Sequence, residues 1–259
     1  MLAEIVAHKR KLLAESPRRM TTAEMLKRIE GLPPVIGLKS SISSELSVSI
    51  IAEIKRRSPS KGQLARQVDV AATARTYEAA GARGISVLTD ERYFAGSPDD
   101  LKQARTATRL PIVRKDFIVD EYQVYESRLI GADVILLIVA ALEIDALRRL
   151  HAVAQGLGME VLVEIHNEKE LRSAVDSGVE LIGINNRNLT TFDVSLETTE
   201  RLCPLIPDGV VCIAESGIHT REDMQRMEAA GVDAVLVGES LMVADDPAEK
   251  IRQLLGKRA

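Results

Sequence analysis

Two kinds of segment alternate along this chain. Short apolar runs, rich in β-branched residues, fall at 49–55, 84–88, 111–115, 133–138, 160–165, 181–185, 210–215 and 234–237. Runs this short and this continuously apolar suit strands buried on both faces. Between them lie helix-like stretches at 70–80, 97–107, 121–130, 143–155, 168–177 and 221–230. A strict strand-then-helix order predicts a parallel sheet joined by right-handed crossovers.

A near-repeat sharpens the prediction. Gly81-Ala82, Gly131-Ala132-Asp133, Gly178-Val179-Glu180 and Gly231-Val232-Asp233 each follow a helix-like stretch and precede an apolar run, at spacings of 50, 47 and 53 residues. Each glycine sits where a helix ends on a left-handed residue. Four such units, each long enough for two strand-helix modules, make eight, which predicts an α/β fold of the (β/α)8 TIM-barrel type. An open doubly wound sheet also satisfies the alternation, but no GxGxxG follows the first run. Residues 1–47 show helical spacing at Ile5, Leu12 and Leu13, then at Met20, Met25, Leu26 and Ile29, with a break at Pro33-Pro34. This stretch is too small to hold a core of its own, so it is expected as a helical N-terminal extension of a single barrel domain over 1–259.

Composition narrows the function classes. The 46% apolar and 28% charged content of the 259 residues is ordinary for a globular chain and supplies one sizeable core. A net charge of −4 gives no overall attraction for nucleic acid or an anionic membrane, so an anionic ligand needs a local cationic site. The longest apolar run, 134–142, is too short to span a bilayer, and the N-terminus lacks the apolar stretch of a secretory signal, so a cytoplasmic address is expected. Cys203 and Cys212 form no CxxC, and His8, His151, His166 and His219 recur at no ligand interval. Free thiols and no protein-built metal site are expected.

In barrels of this type the site lies at the C-terminal ends of the strands. Alternation along Ile51-Ala52-Glu53-Ile54-Lys55 puts Glu53 and Lys55 on the face of Ile51, toward the barrel mouth. The third run ends in Lys115-Asp116-Phe117, the fifth in Glu164, the sixth in Asn185-Asn186-Arg187 and the seventh in Glu215-Ser216-Gly217. A shared mouth then holds Lys55, Lys115, Glu53, Glu164, Glu215 and Asn185. A ring of satisfied ion pairs accounts for any one of these residues. It accounts less well for the set, because burying charge costs several kcal/mol per ion and perturbed titratable groups cluster at functional sites.

Gly217 and Gly238 follow the seventh and eighth runs, where barrels commonly bind phosphate through backbone N–H groups, and a missing side chain lets the backbone approach an anion. Arg56-Arg57-Ser58-Pro59-Ser60-Lys61-Gly62 extends the first run as a cationic loop. Taken singly, Arg56, Arg57 and Lys61 read as solvated; together they suit a second anionic group such as a carboxylate. Tyr93, Phe94 and Phe117 stand out in a chain with only 3% aromatic residues, and suit either a stacked substrate ring or the core.

These stretches resemble the indole-3-glycerol-phosphate synthase family. The likeness runs through Ile51 to Gly62, Val113-Arg114-Lys115-Asp116-Phe117-Ile118-Val119-Asp120, Val163-Glu164, Gly183-Ile184-Asn185-Asn186-Arg187-Asn188-Leu189, Ala214-Glu215-Ser216-Gly217-Ile218 and Val237-Gly238-Glu239-Ser240-Leu241-Met242. The resemblance implies a decarboxylating, dehydrating ring closure of 1-(2-carboxyphenylamino)-1-deoxyribulose 5-phosphate to indole-3-glycerol phosphate, in tryptophan biosynthesis and with no cofactor. It implies Lys115 as general acid, Glu164 as its acid/base partner, and Lys55 as a binder of anionic groups that shares proton transfer. Glu53 and Glu215 would orient the lysines and Asn185 the reacting part. Ser58 and Arg187 would contact polar substrate groups, Gly217, Gly238 and Glu239 would offer backbone to the phosphate, Phe94 and Phe117 would line the ring pocket, and Ser216 would also bind substrate. The expected partner is this small phosphorylated molecule, with the protein a monomer or weak homo-oligomer. A phosphoribosyl-anthranilate-type sugar-phosphate isomerase, a Schiff-base aldolase using Lys115 or Lys55, and a noncatalytic barrel are the rival readings.

Overall fold

Gly81, Gly131, Gly178 and Gly231 all have left-handed backbone, with φ of 104°, 97°, 69° and 83°. Each lies three residues before a strand, at Gly84, Val134, Leu181 and Ala234. These are the second, fourth, sixth and eighth strands of the barrel, so the repeat marks every other module. The computed structural model describes residues 1–257 except 17, 19, 44–46 and 66. The parts of the expected extension and domain at 17, 19, 44–46, 66, 258 and 259 lie outside the described residues.

The barrel strands are β1 (Ser49–Ile54), β2 (Gly84–Leu88), β3 (Ile112–Lys115), β4 (Val134–Ile138), β5 (Glu160–Ile165), β6 (Leu181–Asn185), β7 (Val211–Glu215) and β8 (Ala234–Val237). Each pairs in parallel with its neighbours in sequence, and β8 pairs with β1 to close the ring. The aspartates of the repeat lock its lower end. Asp133 donates its N–H to the Ile112 carbonyl and accepts the Ile112 N–H on its carboxylate, and Asp233 does the same with Cys212.

Alternation along the strands separates two cores. Ile51, Val113, Leu136, Leu162, Ile213 and Leu236 fill the barrel, while Ile50, Ala52, Ile54, Ile135, Val163 and Val235 face the surrounding helices. Glu53 and Lys55 share parity with Ile51, as the period-two pattern requires. Most helices fall where the pattern puts them, including Val70–Ala80, Pro98–Ala107 and Arg221–Ala230. The pattern did not single out Glu197–Leu202, which at six residues is too short to show a helical period.

Among the described residues before β1 there are three helices, α1 (Leu2–Glu15), α2 (Thr22–Ile29) and α3 (Leu38–Ser43). Leu38 and Ile42 of α3 plug the lower end of the barrel interior. α2 begins with a capping box between Thr21 and Glu24 and buries Met25 completely. α1 is rolled away from the orientation its leucines predict. It buries Ile5, Val6 and Lys9 and leaves Leu12 47% exposed. Lys9 sets this roll, since its ammonium lies 2.8 Å from both Asp90 and Asp116 at the upper end of the barrel.

Candidate active site

The upper mouth of the barrel holds a connected set of charges. From β3, Lys115 Nζ donates to Glu164 Oε2 of β5 at 3.0 Å and to Glu215 Oε2 of β7 at closer range. Asn185 Nδ2, ending β6, donates to the other Glu164 oxygen at 3.1 Å. Asn185 is held in turn, because its Oδ1 accepts from Ser216 Oγ at 2.9 Å and the Arg187 N–H at 3.0 Å. One residue past β1, Lys55 Nζ donates to Glu53 Oε1 at 2.5 Å. Glu53, Glu164 and Glu215 are only 3%, 3% and 2% exposed, so their charges act on one another with little screening by water.

That environment separates the groups by protonation. Burial opposes the Lys115 charge, but Glu164, Glu215 and Glu53 together outweigh it and raise its pKa. Burial also opposes ionisation of Glu164, but Lys115 and His166 outweigh it and hold this carboxyl well below the usual range. For Glu215 burial dominates; Glu164 and Glu53 add repulsion, and the Lys115 attraction is not enough, so its pKa is pushed up to about 7. Glu215 Oε1 has no hydrogen-bond partner among the described residues, which also disfavours its charge. Near neutrality the site therefore holds a charged lysine, an ionised Glu164 and a Glu215 in mid-titration. Glu164 and Glu215, which repel each other across Lys115, titrate as a pair.

Two glycines make room for these carboxylates. A Cβ at Gly183 would stand 2.2 Å from Glu215 Oε1, and one at Gly238 would stand 2.3 Å from Glu53 Oε1. The space at Gly238, expected to admit an anion, is thus taken by Glu53. At Gly217 (φ 85°) a Cβ would meet Val194 at 2.8 Å and Leu196 at 3.1 Å. What remains for an anion is backbone N–H. The short helix Glu239–Met242 starts at Gly238 without a side-chain cap, and the first N–H groups of a helix have no partner within it.

One cavity gathers all fourteen residues that the family resemblance assigns to the site: Glu53, Lys55, Ser58, Phe94, Lys115, Phe117, Glu164, Asn185, Arg187, Glu215, Ser216, Gly217, Gly238 and Glu239. Phe94 and Phe117 lie 6.2 Å apart between centroids at 35°, forming an apolar wall. Tyr93 is not part of it; its ring packs edge-on against His8 of α1. Glu239 is held near Lys61 and Arg187, at 3.6 and 3.8 Å. The cationic loop otherwise serves the fold. Arg56 makes a two-point contact with Asp100, at 2.5 and 2.8 Å, and Arg57 donates to the Glu91 and Arg92 carbonyls. Neither matches the solvated reading, because carboxylate and carbonyl acceptors of the β2–β3 connection take their guanidinium groups.

The sequence pattern missed part of the lining. Met1, Leu2 and Ile5 of α1 reach the cavity, a placement set by packing between elements far apart in the chain. Phe192 also lines it, with φ of 66°, rare for a side chain of that size. It is one of three phenylalanines, so the scarcity that marked Phe94 and Phe117 marked it equally. His166, one residue beyond β5, stands behind Glu164 with Nε2 3.4 Å from Glu164 Oε1.

The family model for indole-3-glycerol phosphate synthase matches residues 2–254. A relative named indole-3-glycerol phosphate synthase in Chromobacterium violaceum is 53% identical over 206 residues, covering 80% of this chain and 78% of its own. Another of that name, in a Nocardioides species, is 48% identical over 256 residues, covering 99% and 98%. Among solved structures, a thiamine phosphate pyrophosphorylase from Pyrococcus furiosus superposes with a TM-score of 0.63 at 16% identity, covering 85% of this chain and 96% of its own, a likeness of fold alone. With a whole-length family match and relatives near half identity, the chain belongs to the indole-3-glycerol phosphate synthase family.

Proposed function

We propose that the barrel-mouth cavity closes the indole ring of indole-3-glycerol phosphate, with Lys115 and Glu164 as the proton-transferring pair. The family's activity makes the chain a decarboxylating lyase of tryptophan biosynthesis acting on a small phosphorylated substrate. The observation that carries the residue assignment is the pair of contacts from Lys115 to Glu164 and Glu215 at the cavity floor.

The ring carbon that bears the carboxylate attacks the ketone carbon, and the ketone oxygen takes a proton from Lys115. Although the carboxylates raise its pKa, the ammonium still yields a proton readily to a developing alkoxide, which is the stronger base. Carbon dioxide then leaves, and the electrons of its carbon–carbon bond restore the aromatic ring. In the final step the new hydroxyl departs as water with a proton from Lys115, while Glu164 removes a proton from the carbon beside the nitrogen. Each turnover releases one carbon dioxide and one water, and draws one proton from solvent. An ionised Glu164 suits the role of base.

The other residues bind and orient. Lys55, held by Glu53, receives the substrate carboxylate and shares proton transfer, Glu215 sets the position and charge of Lys115, and Asn185 aligns Glu164 and the reacting carbons. Phe94 and Phe117 pack the anilino ring. Ser58 and Arg187 meet the sugar hydroxyls, and the backbone around Ser216, Gly217, Gly238 and Glu239 meets the phosphate. The reading needs no metal or organic cofactor and includes a cytoplasmic protein, a monomer or weak homo-oligomer, with no nucleic-acid or membrane partner.

The test is direct. Purified protein mixed with the anilino-deoxyribulose phosphate, without added metal or nucleotide, should release carbon dioxide as indole fluorescence rises. The chain contains no tryptophan, so that fluorescence comes from product. Absence of both signals at saturating substrate, with turnover of the aminoaldose isomer instead, would overturn the reading in favour of the isomerase.

A further inference from the structure

His166 lies outside the set used above, yet its ring bridges two carboxylates. Nδ1 is 3.0 Å from Glu170 Oε2, and Nε2 is 3.4 Å from Glu164 Oε1. Glu170, on the helix Glu168–Val175, accepts the Asn167 amide on its other oxygen, Oε1, at 2.7 Å, and its Oε2 also accepts the backbone N–H of His166 at 2.8 Å. Its carboxylate is therefore a rigid anchor for the ring.

A neutral imidazole carries one N–H, and only the imidazolium offers a donor on both nitrogens. Here both nitrogens face carboxylate oxygens in a side chain 14% exposed. Nε2 is off the alignment of a hydrogen bond and has no other partner among the described residues, so its link to Glu164 is an attraction between charges. We propose that His166, as an imidazolium braced by Glu170, is a positioning residue that holds Glu164 ionised and aimed at the substrate for the dehydration step. This rests on the reading of Glu164 as the base and adds to it a cation that the lysine pair does not supply. Burial opposes the charge, but Glu164 and Glu170 outweigh it and push the imidazole pKa up to about 10.

The surrounding charges leave this role to His166. Lys115 from β3 serves both Glu164 and Glu215, Glu215 from β7 repels Glu164, and Glu53 from β1 is occupied by Lys55. Asn185 from β6 is uncharged, and the turn Val139–Ala141 that packs over β5 and the helix Glu168–Val175 brings no titratable group. His166 is the cation facing Glu164 whose other ring nitrogen is anchored outside the cavity.

Two measurements test it. Ring-nitrogen NMR on the full chain should find one histidine, lost in His166→Gln, that stays protonated at pH 8.5; a His166 signal titrating near the ordinary value of about 6.5 overturns the proposal whether or not any variant folds. The pH dependence of kcat for His166→Gln should then show about a 10- to 100-fold loss with KM changed less than threefold, and an acid limb moved upward by about one unit or more, since losing the cation makes Glu164 easier to protonate. His166→Lys should return part of the rate and move the limb back. An unmoved limb in a folded His166→Gln, with the two variants equally impaired, means that the histidine only packs, and overturns the proposal. Glu164→Gln separates the two readings: full activity there refutes the base assignment, whereas an inactive Glu164→Gln beside an unaffected His166→Gln refutes only the positioning role.

Discussion

Lys9 Nζ, on the first helix of the chain, lies 2.8 Å from Asp116 Oδ1, one residue past Lys115. The same ammonium reaches Asp90 beyond β2, while Arg114, Thr89 and the Phe117 N–H also bind the Asp116 carboxylate. One buried cation thus joins the N-terminal helix to the two loops that carry Phe94 and Phe117. It also holds Met1, Leu2 and Ile5 over the cavity.

Replacing Lys9 with Met should therefore cost both stability and turnover. Leaving buried carboxylates short of a partner costs about 3–5 kcal/mol, moderated here by Arg114. Chemical denaturation should register that loss, with a rise in KM as the helix that lines the cavity loosens. A variant with parental stability and kinetics would show the ion pairs to be incidental.

Acid stability should carry the signature of Asp116. Burial disfavours its charge, but Arg114, Lys9 and Thr89 more than offset this and lower its pKa to about 2. The folded value lies below the unfolded one, so the contribution is complete above the unfolded pKa and disappears as pH falls through the folded pKa. A depression of this size corresponds to about 2 kcal/mol. Unfolding midpoints between pH 5 and pH 2 should fall less steeply in Asp116→Asn than in the parent, from a lower starting stability.

Lys115→Met should lower kcat by about 10²- to 10⁴-fold, the usual range for loss of a general acid. It also leaves Glu164 and Glu215 facing each other without their shared cation. Proton uptake by Glu215 relieves that repulsion, so the barrel should stay folded at neutral pH with an unchanged circular dichroism spectrum and a lower melting temperature. A normal kcat in such a folded variant would remove Lys115 from the chemistry.

Glu215 should make stability fall as pH rises. Its folded pKa of about 7 lies above the ordinary carboxyl value of 4.5, so the folded state binds the extra proton between the two. The contribution is full below the unfolded value and is lost as pH rises through the folded one. Urea midpoints at pH 5 and pH 8 should differ less in Glu215→Gln than in the parent; equal slopes would place the titration elsewhere.

Adding one methyl group at Gly183 tests how closely Glu215 must be held. The new Cβ would lie 2.2 Å from Glu215 Oε1, the free end of a side chain, so the carboxylate can swing away without moving the strand. Stability should drop by about 1–3 kcal/mol from overpacking, and kcat by about 10²-fold, because a Glu215 displaced by an ångström no longer aligns Lys115. Unchanged kcat in Gly183→Ala would mean that the exact position of Glu215 does not govern the rate.

Several of these features can be read from local pattern alone. Alternation of apolar runs and helical stretches determines the strands, and the four glycines mark every second one because a left-handed helix end is a local backbone requirement. Period two along β1 is enough to aim Glu53 and Lys55 into the mouth, and strand-end position is enough to nominate Lys115, Glu164, Asn185 and Glu215. Other features depend on contacts between residues distant in sequence. The roll of α1 follows from Lys9 meeting Asp90 and Asp116, against the preference of Leu12 for burial. Arg56 is drawn to Asp100, 44 residues on, so it leaves the solvent that its local sequence suggests. Gly238 makes room for Glu53 because β8 lies beside β1 only after the barrel closes. Likewise the protonation states of Lys115, Glu164 and Glu215 depend on three strands converging in a space that excludes water, where mutual electrostatics outweigh the ordinary pKa of each group.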